Sequence, residues 1–208
     1  MNSVVVFGGT GSIGKLVAEK LVQKGFEVKV LTRNRPAGRP HSPIEYFVGN
    51  VLEYGSVEKG IASGDAVVIA LGFNNSSPDT MSKGTMNILK AMKDKNLNRL
   101  ICLSAQGAGD SWDQMPDAFK EMVASDAILD ASFKDHGIQE DLVKKSGLNW
   151  TIVRPTEVVE TSFPGKSYVV NEYRDDLVFQ IGKDEVAGFM VWELVNGLHL
   201  KGVATITC

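Results

Sequence analysis

A β-branched run, Ser3-Val4-Val5-Val6-Phe7, ends directly in Gly8-Gly9-Thr10-Gly11-Ser12-Ile13-Gly14, and a helical period starts inside that string. No other feature constrains the fold as tightly. Gly8 permits a tight turn out of a strand, Gly11 lets backbone approach a pyrophosphate, and Gly14 lets the helix pack against the strand. The free N–H groups and positive end of such a helix then face phosphate oxygens. A glycine cluster alone is weak evidence. After a strand, before a helix and inside the first βαβ unit, it is a dinucleotide-binding fingerprint, with Gly8, Thr10, Gly11, Ser12, Ile13 and Gly14 as its residues. The string lacks the Gly-Lys-Ser/Thr ending of a P-loop, which disfavours ATP hydrolysis.

Downstream, short apolar runs alternate with helical periods. Strands are expected at Ser3–Phe7, Glu27–Thr32, Ile44–Val48, Ala66–Leu71, Arg99–Ser104 and Trp150–Arg154. Shorter ones are expected at Tyr168–Val170, Leu177–Ile181 and Val203–Thr207. Helices are expected over Ile13–Lys24 before Gly25, from a Ser56 cap to Ala62, and along the face Met81, Thr85, Ile88, Leu89, Met92. Two more are expected around Ile138, Leu142 and Val143, and from an Asp184 cap to Asn196-Gly197. Runs nearly continuous in Val, Ile and Leu mark strands buried on both faces of a parallel sheet. The expected fold class is α/β: a doubly wound, mostly parallel sheet (Rossmann fold) with helices on both faces and a small C-terminal substrate-side portion. The 208 residues suit one domain over 1–208, with 105–126 as a substrate-side insertion or lid.

Composition removes several function classes. The net charge is −3 with no basic run, so there is no electrostatic footprint for nucleic acid or for an anionic membrane surface. No apolar stretch has the length of a spanning helix, and no secretory signal is read at the N-terminus, so a cytoplasmic location is expected. Cys102 and Cys208 are too few for a disulfide framework, and Cys102 sits in an apolar run as a buried thiol. His41, His136 and His199 lie far apart, and no metal site is expected.

The residue about 20 positions past the glycines is where an acid would hold a ribose hydroxyl. Here the segment is Leu31-Thr32-Arg33-Asn34-Arg35 and contains no acid. A guanidinium suits a 2′-phosphate by bidentate hydrogen bonding, so NADP(H) is expected over NAD(H), held by Arg33 and Arg35. The alternative is a pair of solvated loop arginines.

The glycine string, the Arg33 segment and Ser146-Gly147-Leu148-Asn149-Trp150-Thr151-Ile152-Val153-Arg154-Pro155 resemble the atypical short-chain dehydrogenase/reductase family, in its NAD(P)H-binding, NmrA-like branch. Gly49-Asn50-Val51-Leu52, the stretch Ser77–Asn87 and Cys102-Leu103-Ser104-Ala105 make the chain similar to the small biliverdin-IXβ/flavin reductases within that branch. The resemblance implies further cofactor contacts. Asn50 and Val51 would lie beside the adenine, and Leu71, Gly72 and Phe73 along the cofactor. Ala105 and Gln106 would stand near the nicotinamide, and Pro155, Thr156, Glu157 and Val158 over its carboxamide.

Short-chain dehydrogenases carry a Tyr-x-x-x-Lys proton relay. The four tyrosines here are followed four residues later by Asn50, Glu58, Glu172 and Leu177, so the relay is absent. Ser104 and His136 are the candidate catalytic residues. His136 could donate a hydrogen bond or a proton, with Glu140 four residues on to orient it or raise its pKa. The alternatives are a surface or cofactor-positioning histidine and a strand-end serine satisfying backbone. Ser104 lacks the G-x-S-x-G elbow of a hydrolase. Glu157 departs from the Pro-Pro-His sequence that the reductases resemble here, which disfavours anionic propionates nearby. Trp112 and Phe119 would line a substrate pocket or pack a lid. These residues point to an NADPH-dependent reductase passing hydride to a small conjugated acceptor, such as a flavin or quinone. The alternatives are a non-catalytic NADP(H) sensor acting through a protein partner, and an epimerase or dehydratase using His136 as base.

Overall fold

Strands with no polar face must be covered on both sides, and the computed structural model shows how. It describes the chain except for residues 36–41, 62–63, 74–76, 166–167 and 171–178 and the side chain of Tyr168. β1 (Ser3–Phe7) lies between β2 (Glu27–Thr32) and β4 (Ala66–Ile69), with β3 (Ile44–Val48) outside β2. Beyond β4 come β5 (Arg99–Leu103), β6 (Asn149–Pro155) and β10 (Gly202–Thr207), all parallel, and then β8 (Tyr168–Val170), antiparallel at the edge. The order β3-β2-β1-β4-β5-β6-β10-β8 reverses between β1 and β4, the switch point at which open α/β sheets bind ligands. A separate two-stranded sheet pairs β7 (Glu157–Val159) with β9 (Gln180–Gly182), the small C-terminal portion expected from the sequence.

Alternate residues of one strand face opposite layers. Val4, Val6, Val28 and Val30 pack with α1 (Ser12–Gln23) and α6 (Lys183–Asn196). Val5, Phe7, Leu31 and Val67 face α2 (Tyr54–Ile61), α3 (Thr80–Asp94) and α5 (Ala127–Lys144). Residues 105–126 form a 3₁₀ turn, Gly109–Gln114, and α4 (Asp117–Ser125), which pack on α5. Among the described residues no helix is long and apolar enough to cross a membrane.

Several local expectations are corrected. Ser56 lies inside α2, which starts at Tyr54, and its hydroxyl bonds Glu53 at 3.0 Å. Asp184 is not a cap; Gly182 holds that position, and Asp184 pairs with Lys20 across the α1–α6 contact at 2.8 Å. Ile138 is 57% exposed, because α5 buries Asp135, Gln139, Glu140 and Val143 instead. Part of the Leu177–Ile181 expectation lies outside the described residues; the strand there runs Gln180–Gly182. Cys102 is buried as expected, and burial raises its thiol pKa.

Candidate functional site

The chain leaves β1 at Gly8 with φ +84°, and a Cβ there would lie 2.1 Å from the Ala70 carbonyl oxygen at the end of β4. The Gly8 carbonyl accepts the Gly11 N–H at 2.9 Å. A Cβ on Gly14 would lie 2.2 Å from that same carbonyl oxygen, so only glycine lets α1 start against the turn. α1 begins after Gly11 with no side-chain cap and no acid in its first turn. Its first N–H groups and positive end are left for an oxyanion.

A cleft of about 590 Å³ opens at this point, a volume suited to a cofactor. Of the residues expected to contact a cofactor, Gly8, Thr10, Gly11, Arg33, Asn50, Val51, Leu71, Gly72 and Phe73 line it. Arg33 is exposed and has no hydrogen bond or ion pair among the described residues. The Thr32 hydroxyl donates to the Asn34 carbonyl at 2.7 Å and shapes the turn that presents Arg33. Asn50 Oδ1 accepts the Leu52 N–H at 3.1 Å, and the Asn87 amide donates to the Val51 carbonyl at 3.0 Å, so this wall is held from two sides. Arg35 turns away, toward the Tyr46 carbonyl at 3.4 Å. Ser12, Ile13 and Gly14 form the first turn of α1 and do not line the cleft. Thr32, Gly49, Leu52, Ser77 and Thr80 line it too, unforeseen from the sequence. Their contribution arises because neighbouring strand ends stand side by side, a tertiary fact with no local signature.

The remaining candidates stand at the ends of β5 and β6 or, for His136, on α5, outside this cleft. The Gln106 N–H donates to the Pro155 carbonyl at 2.9 Å, while its side chain accepts from Thr205 at 3.1 Å. Ala105 caps a turn by accepting the Ala108 N–H at 3.1 Å. The Thr156 and Thr207 hydroxyls bond each other at 3.0 Å. Glu157 is exposed and accepts from Gln180 at 3.0 Å, and Val158 pairs Ile181 in the small sheet.

Ser104 is buried, and its hydroxyl donates to Glu140 Oε1 at 2.7 Å. Glu140 is fully buried and also accepts from Arg154 Nε at 2.8 Å, Arg154 Nη2, and Lys144 Nζ at 3.3 Å. Asp110, on the 3₁₀ turn, takes Arg154 Nη2 and Lys144 Nζ. The two carboxylates and two cations balance, and they tie the 3₁₀ turn, α5 and β6 together. Burial pushes the Asp110 pKa up, but hydrogen bonds from Lys144 and Arg154 outweigh it and hold the group at about 2. Glu140 therefore does not orient His136 by a hydrogen bond, a correction, although its charge does act to raise the imidazole pKa as expected. His136 Nδ1 lies 3.0 Å from Gln139 Oε1, and the Gln139 amide donates to the Thr85 hydroxyl at 3.0 Å. Burial lowers the imidazole pKa, with Gln139, Glu140 and Asp135 acting the other way. Asp135, unmarked in the sequence, caps α3 from α5 by accepting the Met81 N–H at 2.9 Å.

An apolar pocket of about 340 Å³ lies between the 3₁₀ turn and α5, lined by Gly107, Gly109, Trp112, Phe133 and Gly137, with Asp130 and Lys134. Trp112 thus lines a pocket, while Phe119 packs edge-on against Trp112 and Phe133 behind it. His41 lies outside the described residues, and His199 bonds the buried Glu193 at 2.8 Å.

A doubly wound sheet with a glycine cradle, an uncapped helix end and a cleft at the switch point defines a dinucleotide-binding protein. A sequence profile of the NAD(P)H-binding family matches residues 8–196, and the chain belongs to that family. It is 28% identical over 209 aligned positions to the uncharacterized chloroplastic protein At2g34460 of Arabidopsis thaliana, covering 93% of this chain and 72% of that one. It is 26% identical over 102 residues to the uncharacterized protein Rv2047c of Mycobacterium tuberculosis. That match takes in 49% of this chain and only 12% of the mycobacterial protein's length. Among solved structures it is similar to ChuY, an anaerobillin reductase from Escherichia coli O157:H7, with TM-score 0.82 and 16% identity over 99% of this chain and 96% of that one. It is also similar to a short-chain dehydrogenase/reductase of Veillonella parvula in complex with NADP, with TM-score 0.76 and 16% identity over 100% and 94%. At these identities the structural likeness speaks for the fold.

Proposed function

We propose that the chain is an NADPH-dependent reductase that passes hydride to a small conjugated acceptor, a flavin, quinone or related ring system. The observation that carries the reading is the state of Ser104. Its hydroxyl hydrogen is given to the buried Glu140, so that O–H is not free to polarise a ketone or protonate an alkoxide. No Tyr-x-x-x-Lys pair stands in for it. The lowered pKa of His136 leaves a neutral imidazole at pH 7, a poor acid. A conjugated acceptor tolerates this, because it can take its proton from solvent.

When bound, the dihydronicotinamide supplies the hydride, and the protein's part is binding and orientation. Gly8, Gly11 and the start of α1 hold the pyrophosphate, and the free guanidinium of Arg33 holds the 2′-phosphate. Asn50 and Val51 serve the adenine end, and Leu71, Gly72 and Phe73 continue the wall. Ala105, Gln106 and Pro155 to Val158 serve the nicotinamide end. Ser104 Oγ, its proton committed, serves as an acceptor for an amide N–H. Membership of the NAD(P)H-binding family and the likeness to ChuY support a reductase acting on a small molecule.

The test is a titration of the purified protein with NADPH and NADH, followed by NADPH oxidation against a panel of flavins, quinones and biliverdin. Turnover with one acceptor class is expected. Tight NADPH binding without oxidation across the panel would overturn the reductase in favour of a redox sensor.

A further inference from the structure

Beneath the 3₁₀ turn, against the β6–β10–β8 edge, lies a third cavity, polar and of about 120 Å³, whose walls include Gln106, Ser111, Gln114, Arg154 and Thr205. Its hydrogen-bonding inventory is lopsided. Ser111 Oγ is occupied, accepting the Gly107 N–H at 2.9 Å and donating to the Ala108 carbonyl at 2.6 Å. Thr205 spends its proton on Gln106 Oε1 at 3.1 Å. Arg154 uses Nε and Nη2 on Glu140 and Asp110. Gln114 is exposed and keeps its amide donor and acceptor toward solvent. Among the buried wall residues, what is left is a pair of donors, Arg154 Nη1 and Gln106 Nε2, with no protein partner among the described residues. Both residues are more than nine-tenths buried, yet neither nitrogen is sealed in without a partner. Both residues line the cavity. Donors left unbonded by the protein at a cavity wall are met by an oxygen acceptor that enters it.

Charge selects the kind of oxygen. Arg154 and Lys144 are already matched one for one by Glu140 and Asp110. A carboxylate would be a third anion on two cations, beside the fully buried Glu140, and like-charge repulsion disfavours it. A carbonyl oxygen accepts the same N–H groups and adds no charge. We propose that this cavity is a carbonyl-recognition site, in which Arg154 Nη1 and Gln106 Nε2 donate to a neutral ring carbonyl of amide, imide or quinone type. The volume admits one carbonyl edge of a ring, not a whole ring system. Assigning that carbonyl to the hydride acceptor rests on the reductase reading; the site itself does not.

The experiment is a side-chain NMR titration of the whole protein. The Arg154 Nε–H and Gln106 amide signals are followed while acetamide, sodium acetate or sodium chloride is added, with ionic strength held constant. Acetamide is expected to move both signals saturably, the salts are not, and Gln106→Leu should weaken acetamide about tenfold. Shifts with acetate alone would make this an anion site and overturn the proposal. No response to any probe would make it a water-filled void and overturn it equally. The wild-type titration decides by itself if the variant does not fold. Because no turnover is read, the carbonyl site can fail while NADPH oxidation succeeds, and the reverse.

Discussion

At the residue scale, Gly14 and Arg33 carry the cofactor argument and make opposite kinds of prediction. Alanine is ordinarily the better helix former by about 1 kcal/mol, so Gly14→Ala ought to stabilise α1 on propensity alone. The 2.2 Å approach to the Gly8 carbonyl reverses that sign, because two backbone segments would have to separate. We expect Gly14→Ala to cost ~2 kcal/mol or more in denaturant unfolding and to weaken NADPH more than about tenfold. An unchanged NADPH titration would count against the cradle. Arg33→Asp removes the free guanidinium and sets a carboxylate against a 2′-phosphate. NADPH affinity should fall about tenfold to a hundredfold, the worth of a charged hydrogen bond, while NADH is spared or improved. An unaltered preference would remove Arg33 from cofactor selection. Both residues were legible in the sequence because their chemistry is local: a string after a strand, and a missing acid at a set distance from it. Arg35 matched the same sequence rule, and only the neighbouring β3 backbone shows that it turns elsewhere.

At the element scale, α5 is where sequence reasoning misplaced a face. Its apolar residues suggested an ordinary buried stripe, yet its buried positions are largely polar, each serving another element. Asp135 caps α3, Gln139 joins Thr85 to His136, and Glu140 gathers Ser104, Arg154 and Lys144. Periodicity finds apolar faces and is blind to a polar one whose partners come from distant segments. Glu140→Gln should therefore destabilise strongly, by ~3–5 kcal/mol in chemical unfolding, since it leaves buried cations short of a counter-charge. Asp110 is the accessible member of the same network, and its loss should cost less, ~1 kcal/mol or below, because solvent screens it. Its pKa is depressed in the folded state, to about 2. Its contribution is thus complete above the unfolded value of about 3.9 and is lost as pH falls through about 2. Hydrogen exchange of the 3₁₀ turn, followed into acid, should show this loss in the wild type and not in Asp110→Asn. The same step in both proteins would mean that Asp110 does not hold the turn.

At the scale of the whole molecule, one sheet runs through every described strand except the β7–β9 pair, and we propose that the chain behaves as one domain. Thermal unfolding should show a single transition. NADPH at a hundred times its Kd should add ~2.7 kcal/mol and raise Tm by about 5–10 °C. A second transition insensitive to NADPH would divide the chain and undo the one-domain reading. The sequence by itself determined the parallel α/β class, the order of the strands of the main sheet and of most helices, and the glycine turn at the cleft, but gave no sign of β7, the 3₁₀ turn or α4. Those properties follow from short-range causes: unbroken apolar runs, glycines where a Cβ would strike backbone, and helix ends that lack caps. Only the tertiary structure decided which proton Ser104 gives away, which partner His136 keeps, and that Gln106 and Arg154 share a cavity. Ser104 and Glu140, or Gln106 and Thr205, lie far apart in the chain. Their meeting depends on the register of β5, β6 and β10 and on how α5 sits across them, which no local window of sequence contains.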